Sequence, residues 1–255
     1  MMRNFKSLYL LGFCVVFFMV SGCAHTPLNL SYQPAQRPYK KHKIKIAVVK
    51  PAYTGSKIQQ NMQQMFMLSA YGDPGEAPVN ISLYNKYINI YSLKLANAMI
   101  ADLDKIVASK GMIPYKTFDI YDEVTYRDKK NVDLILAPEF DFGPIIKNHR
   151  TWIPMIWPLN HIYWDHGSII MAGKIRLVFY EPMSKEKIVL KDVDISSLGL
   201  DTTIPYSSKS DAEDKIINFL NKMYPQLMGR VAKVIDPDEI AESMSDIEHL
   251  KQEKE

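Results

Sequence analysis

The sequence predicts an α+β fold: a mixed β-sheet with one long hairpin, packed by two main helices. Three observations carry this. Tyr84, Ile88, Tyr91, Leu95, Met99, Leu103 and Ile106 recur every three or four residues, the spacing of one helix face. Ser168–Tyr180 and Lys187–Ile195 are apolar, strand-like runs joined by the turn-like Glu181-Pro182-Met183-Ser184-Lys185, and so read as a hairpin. The order strand, helix, two strands, hairpin, helix fits helices laid over one or both faces of a single sheet.

Each element has its own local reason. Lys43–Val49 alternates and is rich in β-branched residues, as a strand is, and Pro51 ends it. Residues 58–68 set Met62, Met65, Phe66 and Met67 among glutamines, a short helix, and Gly72-Asp73-Pro74-Gly75 is a loop. The periodic helix follows, with Gly111 placed to cap its C-terminus. Met112–Phe118 and Val132–Phe140 are strands, the second apolar enough to be central. Ser210 and Glu213 have capping-box spacing at the start of the last helix. Ile216, Ile217, Leu220, Leu227, Val231 and Val234 form its apolar face, and Pro225 is expected to kink it. The acid-rich tail from Asp236 to Glu255 is either a frayed helix or disordered. No internal repeat is evident.

The N-terminus carries a different kind of signal. Arg3 and Lys6 precede an apolar run from Leu8 to Val20, then Ser21 and Gly22, then Cys23. A basic region, a short apolar core and small residues make a secretory signal. A cysteine at the cut adds a thiol able to carry a lipid, so the pattern reads as a bacterial lipobox. A plain cleaved signal needs no cysteine. A membrane-spanning anchor needs about 20 apolar residues, more than this run holds. Ala24 follows the cysteine where an aspartate would favour inner-membrane retention, which points to the outer membrane. The expected organisation is a signal peptide at 1–22, a lipid-anchored tether at 23–42, a single α/β domain at 43–235 with an aromatic loop at 144–167, and the tail at 236–255.

Composition narrows the function classes. Residues 1–22 hold two basic residues and no acidic one, so their removal lowers the formal net charge from +3 to +1. That near balance argues against nucleic-acid binding. Of the two cysteines, Cys14 leaves with the signal segment and Cys23 is taken by lipid, so no disulfide, thiol nucleophile or thiolate metal site is expected. No serine-hydrolase elbow, phosphate-cradling glycine loop or His-Glu-x-x-His is present, and no enzyme or cofactor is expected. Glu139 and Asp141 have the spacing of paired carboxylates on a strand face, but are read in preference as the solvent side of a strand end.

One segment is dense in recognition-type residues. All three tryptophans, Trp152, Trp157 and Trp164, fall within a proline-broken stretch between two strands, beside Tyr163. Indoles stack on sugars, sit at lipid interfaces, anchor protein partners, or fold inward as a small core for a long loop. Lys147, His149 and Arg150 lie just before them; Arg150 could clamp a carboxylate in bidentate fashion, or the cations form a solvated turn. His161, Asp165 and His166 supply nitrogen and oxygen donors, yet their spacing matches no recurring metal motif, and no metal is expected.

Several short pieces, in order, resemble a known family. They are the lipobox at Cys23, Leu28-Asn29-Leu30-Ser31-Tyr32-Gln33-Pro34-Ala35, Lys50-Pro51-Ala52-Tyr53, the turn Glu181-Pro182-Met183-Ser184, and Asp194-Ile195-Ser196. Their order and spacing over residues 20–235 resemble the neuraminyllactose-binding hemagglutinin (HpaA-type) family of adhesin lipoproteins. The resemblance implies an outer-membrane lipoprotein, at the cell surface or flagellar sheath, that binds sialylated glycans. The family's proposed sugar motif is a short basic run around Lys-Arg-Thr. Its counterpart here is Lys147-Asn148-His149-Arg150-Thr151-Trp152, where Arg150 and Thr151 match and the flanking lysines are not kept. The glycan-binding set is then Lys147, Arg150, Thr151, Trp152, Trp157 and Trp164, with lipid on Cys23. The alternative is a periplasm-facing lipoprotein that binds another envelope protein. Homo-oligomerisation is left open by either reading.

Overall fold

The computed structural model describes residues 26–35, 40–56, 58–63, 77–153 and 162–252, with backbone alone at 77–80, 148–153, 162–165 and 247–252. Its α+β architecture agrees with the sequence reading. Strand β1 (Lys45–Val49) is buried on both faces: Ile46 and Val48 enter the main core, while Ala47 and Val49 enter a second cluster with Val124, Val132 and Ile135. The short β2 (Ala52–Tyr53) follows Pro51. Helix α1 (Ala77–Lys86) runs through a π-helical turn at Tyr87–Tyr91 into α2 (Ser92–Ser109). Strand β3 (Ile113–Phe118), the single-turn α3 (Tyr126–Lys129) and β4 (Leu134–Leu136) complete a parallel unit in which β1 pairs with both β3 and β4. The helical run from α1 through α2 is the crossover that parallel pairing of β1 and β3 demands.

The rest is antiparallel. Strands β5 (Glu139–Ile153), β6 (Ile162–Tyr180), β7 (Lys187–Asp194) and β8 (Thr203–Tyr206) all assemble on β6. Along one edge β6 pairs with β5 and then β4; along the other it pairs with β8 and then β7. The predicted Ser168–Tyr180 hairpin strand is thus the C-terminal part of a longer one. The predicted strand Val132–Phe140 is two strands in one line. Leu136 faces Phe179 and Glu139 resumes opposite Arg176 in the same register, with Ala137 and Pro138 between them. Pro138 marks where the neighbour on the other edge changes from β1 to β2.

The helical face is the one the periodicity indicates, with one substitution. Tyr84, Tyr87, Tyr91, Leu95, Met99, Leu103 and Ile106 are buried, whereas Ile88 is only partly so. Within the π turn it is Tyr87 that turns inward, because its hydroxyl donates to Phe142 O at 2.9 Å. Gly111, at φ +79°, ends the helix as expected.

Helix α4 (Lys209–Val234) lies against α2, and Tyr224 links them by donating to the buried carboxylate of Asp102 at 2.7 Å. The predicted cap is displaced. Ser208, not Ser210, is the N-cap and accepts from Asp211 N–H at 3.1 Å. Glu213 is used elsewhere: it accepts from Tyr91 OH at 3.0 Å and pairs with Lys86. The helix continues through Pro225.

Two terminal readings change. Of the two options for the tail, helix holds: α5 (Pro237–Gln252) buries Ile240 and sets Glu239 against Lys191 of β7 at 2.5 Å. The segment expected to be a tether with little core character is docked over its described part. Leu28, Leu30 and Tyr32 pack on the core. The Asn221 amide of α4 accepts from Asn29 N–H at 2.7 Å and donates to Pro27 O at 3.0 Å. A side-chain amide thereby pairs with backbone as a neighbouring strand would.

Candidate functional site

The aromatic segment is not a loop over most of its length. Strand β5 runs on to Ile153 and β6 begins at Ile162, with continuous pairing between them. This corrects the aromatic loop expected at 144–167. Proline misled that reading, and the structure shows why Pro144 is tolerated. Phe142 O and Ile146 N–H point away from β6, toward Tyr87 and Tyr84. By the two-residue alternation Pro144 faces outward as well, so its missing N–H removes no bond to β6.

Beyond the core this hairpin becomes a two-stranded arm. Among the described side chains the buried core takes in Ile146 and Ile169, and β8 pairs with β6 between Gly167 and Ile170. From there outward, among the described residues, β5 and β6 are each other's strand partner. Two glycines permit the close approach at the base. A Cβ on Gly167 would lie 2.0 Å from Lys147 O, and one on Gly173, at φ +129°, would lie 1.9 Å from Asp141 O. Two buried tyrosines hold the base from the side. Tyr84 OH accepts Ile146 N–H at 2.8 Å, and burial pushes its phenol up to about 12; burial raises Tyr87 well above its ordinary value.

The register distributes the candidate residues along the arm. Lys147, exposed, is opposite Ser168; Arg150 is opposite Asp165; Thr151 is opposite Trp164; and Trp152 is opposite Tyr163. Lys147, Thr151 and Trp164 belong to one set of alternating positions, and Arg150 and Trp152 to the other. The set read as one cluster is therefore divided between two faces of a ribbon. Trp157, His161 and Cys23 lie outside the described residues. His166 falls opposite His149. Among the described residues there is no group of three or more His, Cys, Asp or Glu placed to hold a metal ion, and no helix is long and apolar enough to cross a membrane.

Sequence reasoning missed a second feature, at the other end of the sheet. There a cavity of about 500 Å³ lies among the strand ends and the Tyr121 and Lys185 segments. Four separated stretches of chain contribute to it, so no local spacing marks it.

No family model and no curated protein matches the chain. Among solved structures it is similar to a candidate neuraminyllactose-binding hemagglutinin homolog from Helicobacter pylori, with TM-score 0.53 and 12% identity over 86% of this chain and 99% of that one. A Xanthomonas campestris protein of the DUF330 family matches with TM-score 0.24 and 9% identity, over 82% of this chain and 97% of that one. The PelC dodecamer of Paraburkholderia phytofirmans matches with TM-score 0.23 and 11% identity, over 75% of this chain and 92% of that one. These last two are too loose to carry an argument. The first likeness extends over nearly the whole of the other protein, and the chain shares the fold of that hemagglutinin homolog.

Proposed function

We propose that this chain is a lipid-anchored envelope protein, a divergent relative of the hemagglutinin-type adhesins, that recognises its partner through the distal β5–β6 arm. The arm carries the reading. It extends past the helix-covered core, and the sequence concentrates its three indoles and the cations Lys147 and Arg150 on or next to it. Trp152 and Trp164 supply stacking surfaces, and Arg150 is the group able to clamp a carboxylate such as that of a sialylated glycan. The shared fold with a hemagglutinin homolog and the lipobox at Cys23 support the same reading. The body faces the outside in this proposal.

Three experiments test it. Intact-cell protease shaving should cleave the body without breaking the outer membrane. Cleavage only after the membrane is opened would instead favour the periplasm-facing, protein-binding alternative. Binding of cells to sialylated glycans should fall with Arg150→Ala and with Trp152→Ala, each leaving the melting temperature in place. Binding equal to wild type in both variants would remove the arm from glycan recognition. Fatty-acid labelling should be lost in Cys23→Ala, and undiminished label would overturn the lipid anchor.

A further inference from the structure

Strands β1, β3 and β4 are parallel, so their carboxyl ends, Val49, Phe118 and Leu136, meet at one end of the sheet. Chains that leave parallel strands in different directions open a crevice there, which is where open α/β sheets place ligands. The cavity of about 500 Å³ occupies this position. It is distinct from the arm: on β5, Glu139 at the cavity and Lys147 at the start of the arm are eight residues apart, roughly 26 Å at strand rise.

Its floor is apolar, built from Val49, Pro51, Ala52, Ala137 and Pro138. Its rim is not. Tyr121 and Tyr180 meet edge to face with centroids 5.7 Å apart. The Tyr121 hydroxyl is buried and has no hydrogen-bond partner among the described residues. A buried polar atom in that state calls for a partner. Burial raises its pKa, so at neutral pH it remains a donor.

Lys185 is the second sign of a built site. Among the described residues it is the one non-glycine at positive φ, +60°. The turn that holds it is closed by Glu181 N–H to Glu186 O at 2.8 Å and Lys185 N–H to Glu181 O at 3.0 Å. Glycine would adopt that backbone without strain. The position instead carries a long cation whose Nζ lies 5.4 Å from the Tyr121 ring centroid, and Lys129 Nζ lies 5.7 Å from the same ring. Strain retained at a residue whose side chain reaches a cavity rim is the pattern of a ligand clamp.

The other rim charges balance. Lys50 is paired with Asp119 at 2.7 Å, and Glu139 stands opposite Arg176 in the ladder. On the Tyr121 side two cations, Lys185 and Lys129, stand near the ring, against one carboxylate, Glu181, that acts on the same phenol. We propose that this cavity binds a small organic acid with an apolar body, the body on the Pro51–Pro138 floor and the anionic head at the Lys185 and Tyr121 rim.

The test uses the full chain in lipid nanodiscs, with empty nanodiscs subtracted, titrated calorimetrically with 2-naphthoate and with uncharged 2-naphthamide. The acid should bind saturably at one site, roughly tenfold tighter than the amide, the size expected of a charge-assisted hydrogen bond. Lys185→Gly relieves the backbone strain, so it folds at least as well as wild type, and it should abolish that preference. Tyr121→Phe should weaken the acid by a few-fold with little effect on the amide. Absence of saturable heat with 2-naphthoate, equal binding of acid and amide, or acid affinity unchanged in both variants would each overturn the proposal.

Discussion

Tyr84→Phe removes one oxygen atom and leaves the ring. That oxygen accepts Ile146 N–H at 2.8 Å, and Tyr84 is 0% exposed, so the amide left behind gains no access to water. A buried amide without a partner costs about 1–3 kcal/mol. In a domain of about 200 residues each kcal/mol lowers Tm by about 2–4 °C, so the expected fall is roughly 2–12 °C. Tyr87→Phe orphans the Phe142 carbonyl instead. A carbonyl has two lone pairs and tolerates under-satisfaction better than an amide, so this loss should lie at the low end of that range. Thermal melts give the global cost, and hydrogen exchange locates it. The Ile146 amide should exchange much faster in Tyr84→Phe, while the buried strand β1 changes only by the global amount. A melt within 1 °C of wild type, together with an Ile146 amide as slow as before, would show that the hydroxyl does not satisfy this edge.

Other consequences are open to measurement. Asn221→Ala breaks both bonds that hold Pro27 and Asn29 on α4, and limited proteolysis should then cut within residues 26–35; an unchanged cleavage pattern would mean the apolar contacts of Leu28, Leu30 and Tyr32 suffice. Tyr84, Tyr87 and Tyr224 all have phenols raised above their ordinary value, chiefly by burial. Their folded values exceed the unfolded one, so their contribution is complete below about pH 10 and is lost as pH climbs toward the folded values. Phenolate absorbance should therefore rise in two phases, exposed tyrosines first and the buried ones together with loss of helical circular dichroism. A single phase with secondary structure intact would contradict this. Trp157→Ala should cost about 2 kcal/mol of partner binding with Tm unchanged if the indole is an exposed anchor. A stability loss of about 3–5 kcal/mol would assign it to packing.

What the sequence revealed depended on whether a residue's role is set by its neighbours in the chain. The α2 face was readable because Leu95, Met99, Leu103 and Ile106 all answer to one core, and a 3.6-residue period leaves few alternatives. The β6–β7 hairpin was readable from its turn. The helix cap was not, because Ser208 and Ser210 both suit the position and Glu213 has the right spacing. The choice was made by Tyr91 and Lys86, more than 100 residues away, which draw Glu213 across the interface. The docked N-terminal segment rests on the amide of Asn221, equally remote in sequence. In the candidate site the residue types stood out, but their arrangement did not. Pairing places Thr151 against Trp164 and Arg150 against Asp165, and that register follows from glycines at 167 and 173 whose need is visible only once the strands meet.

The outer edge of β5 connects these points. An uncovered strand edge offers its amides and carbonyls to any other chain, and proteins close such edges when they are not in use. Along β5 the closure is piecemeal, group by group, between Pro138 and Ile146. Pro138 O and Phe140 O accept from Ala52 N–H and Thr54 N–H at 2.9 and 3.0 Å. Phe142 O is taken by Tyr87, Pro144 has no N–H to offer, and Ile146 N–H is taken by Tyr84. Pro144, which made this stretch hard to read as a strand, and the tyrosines of the helical face are thus the residues that let it be one safely. They fix the strand at its base on the core, so that what extends beyond Ile146 is held in a set direction. The recognition surface proposed for this ribbon would depend on that fixed base. Loosening Ile146 should accordingly weaken partner binding through residues that never touch the partner.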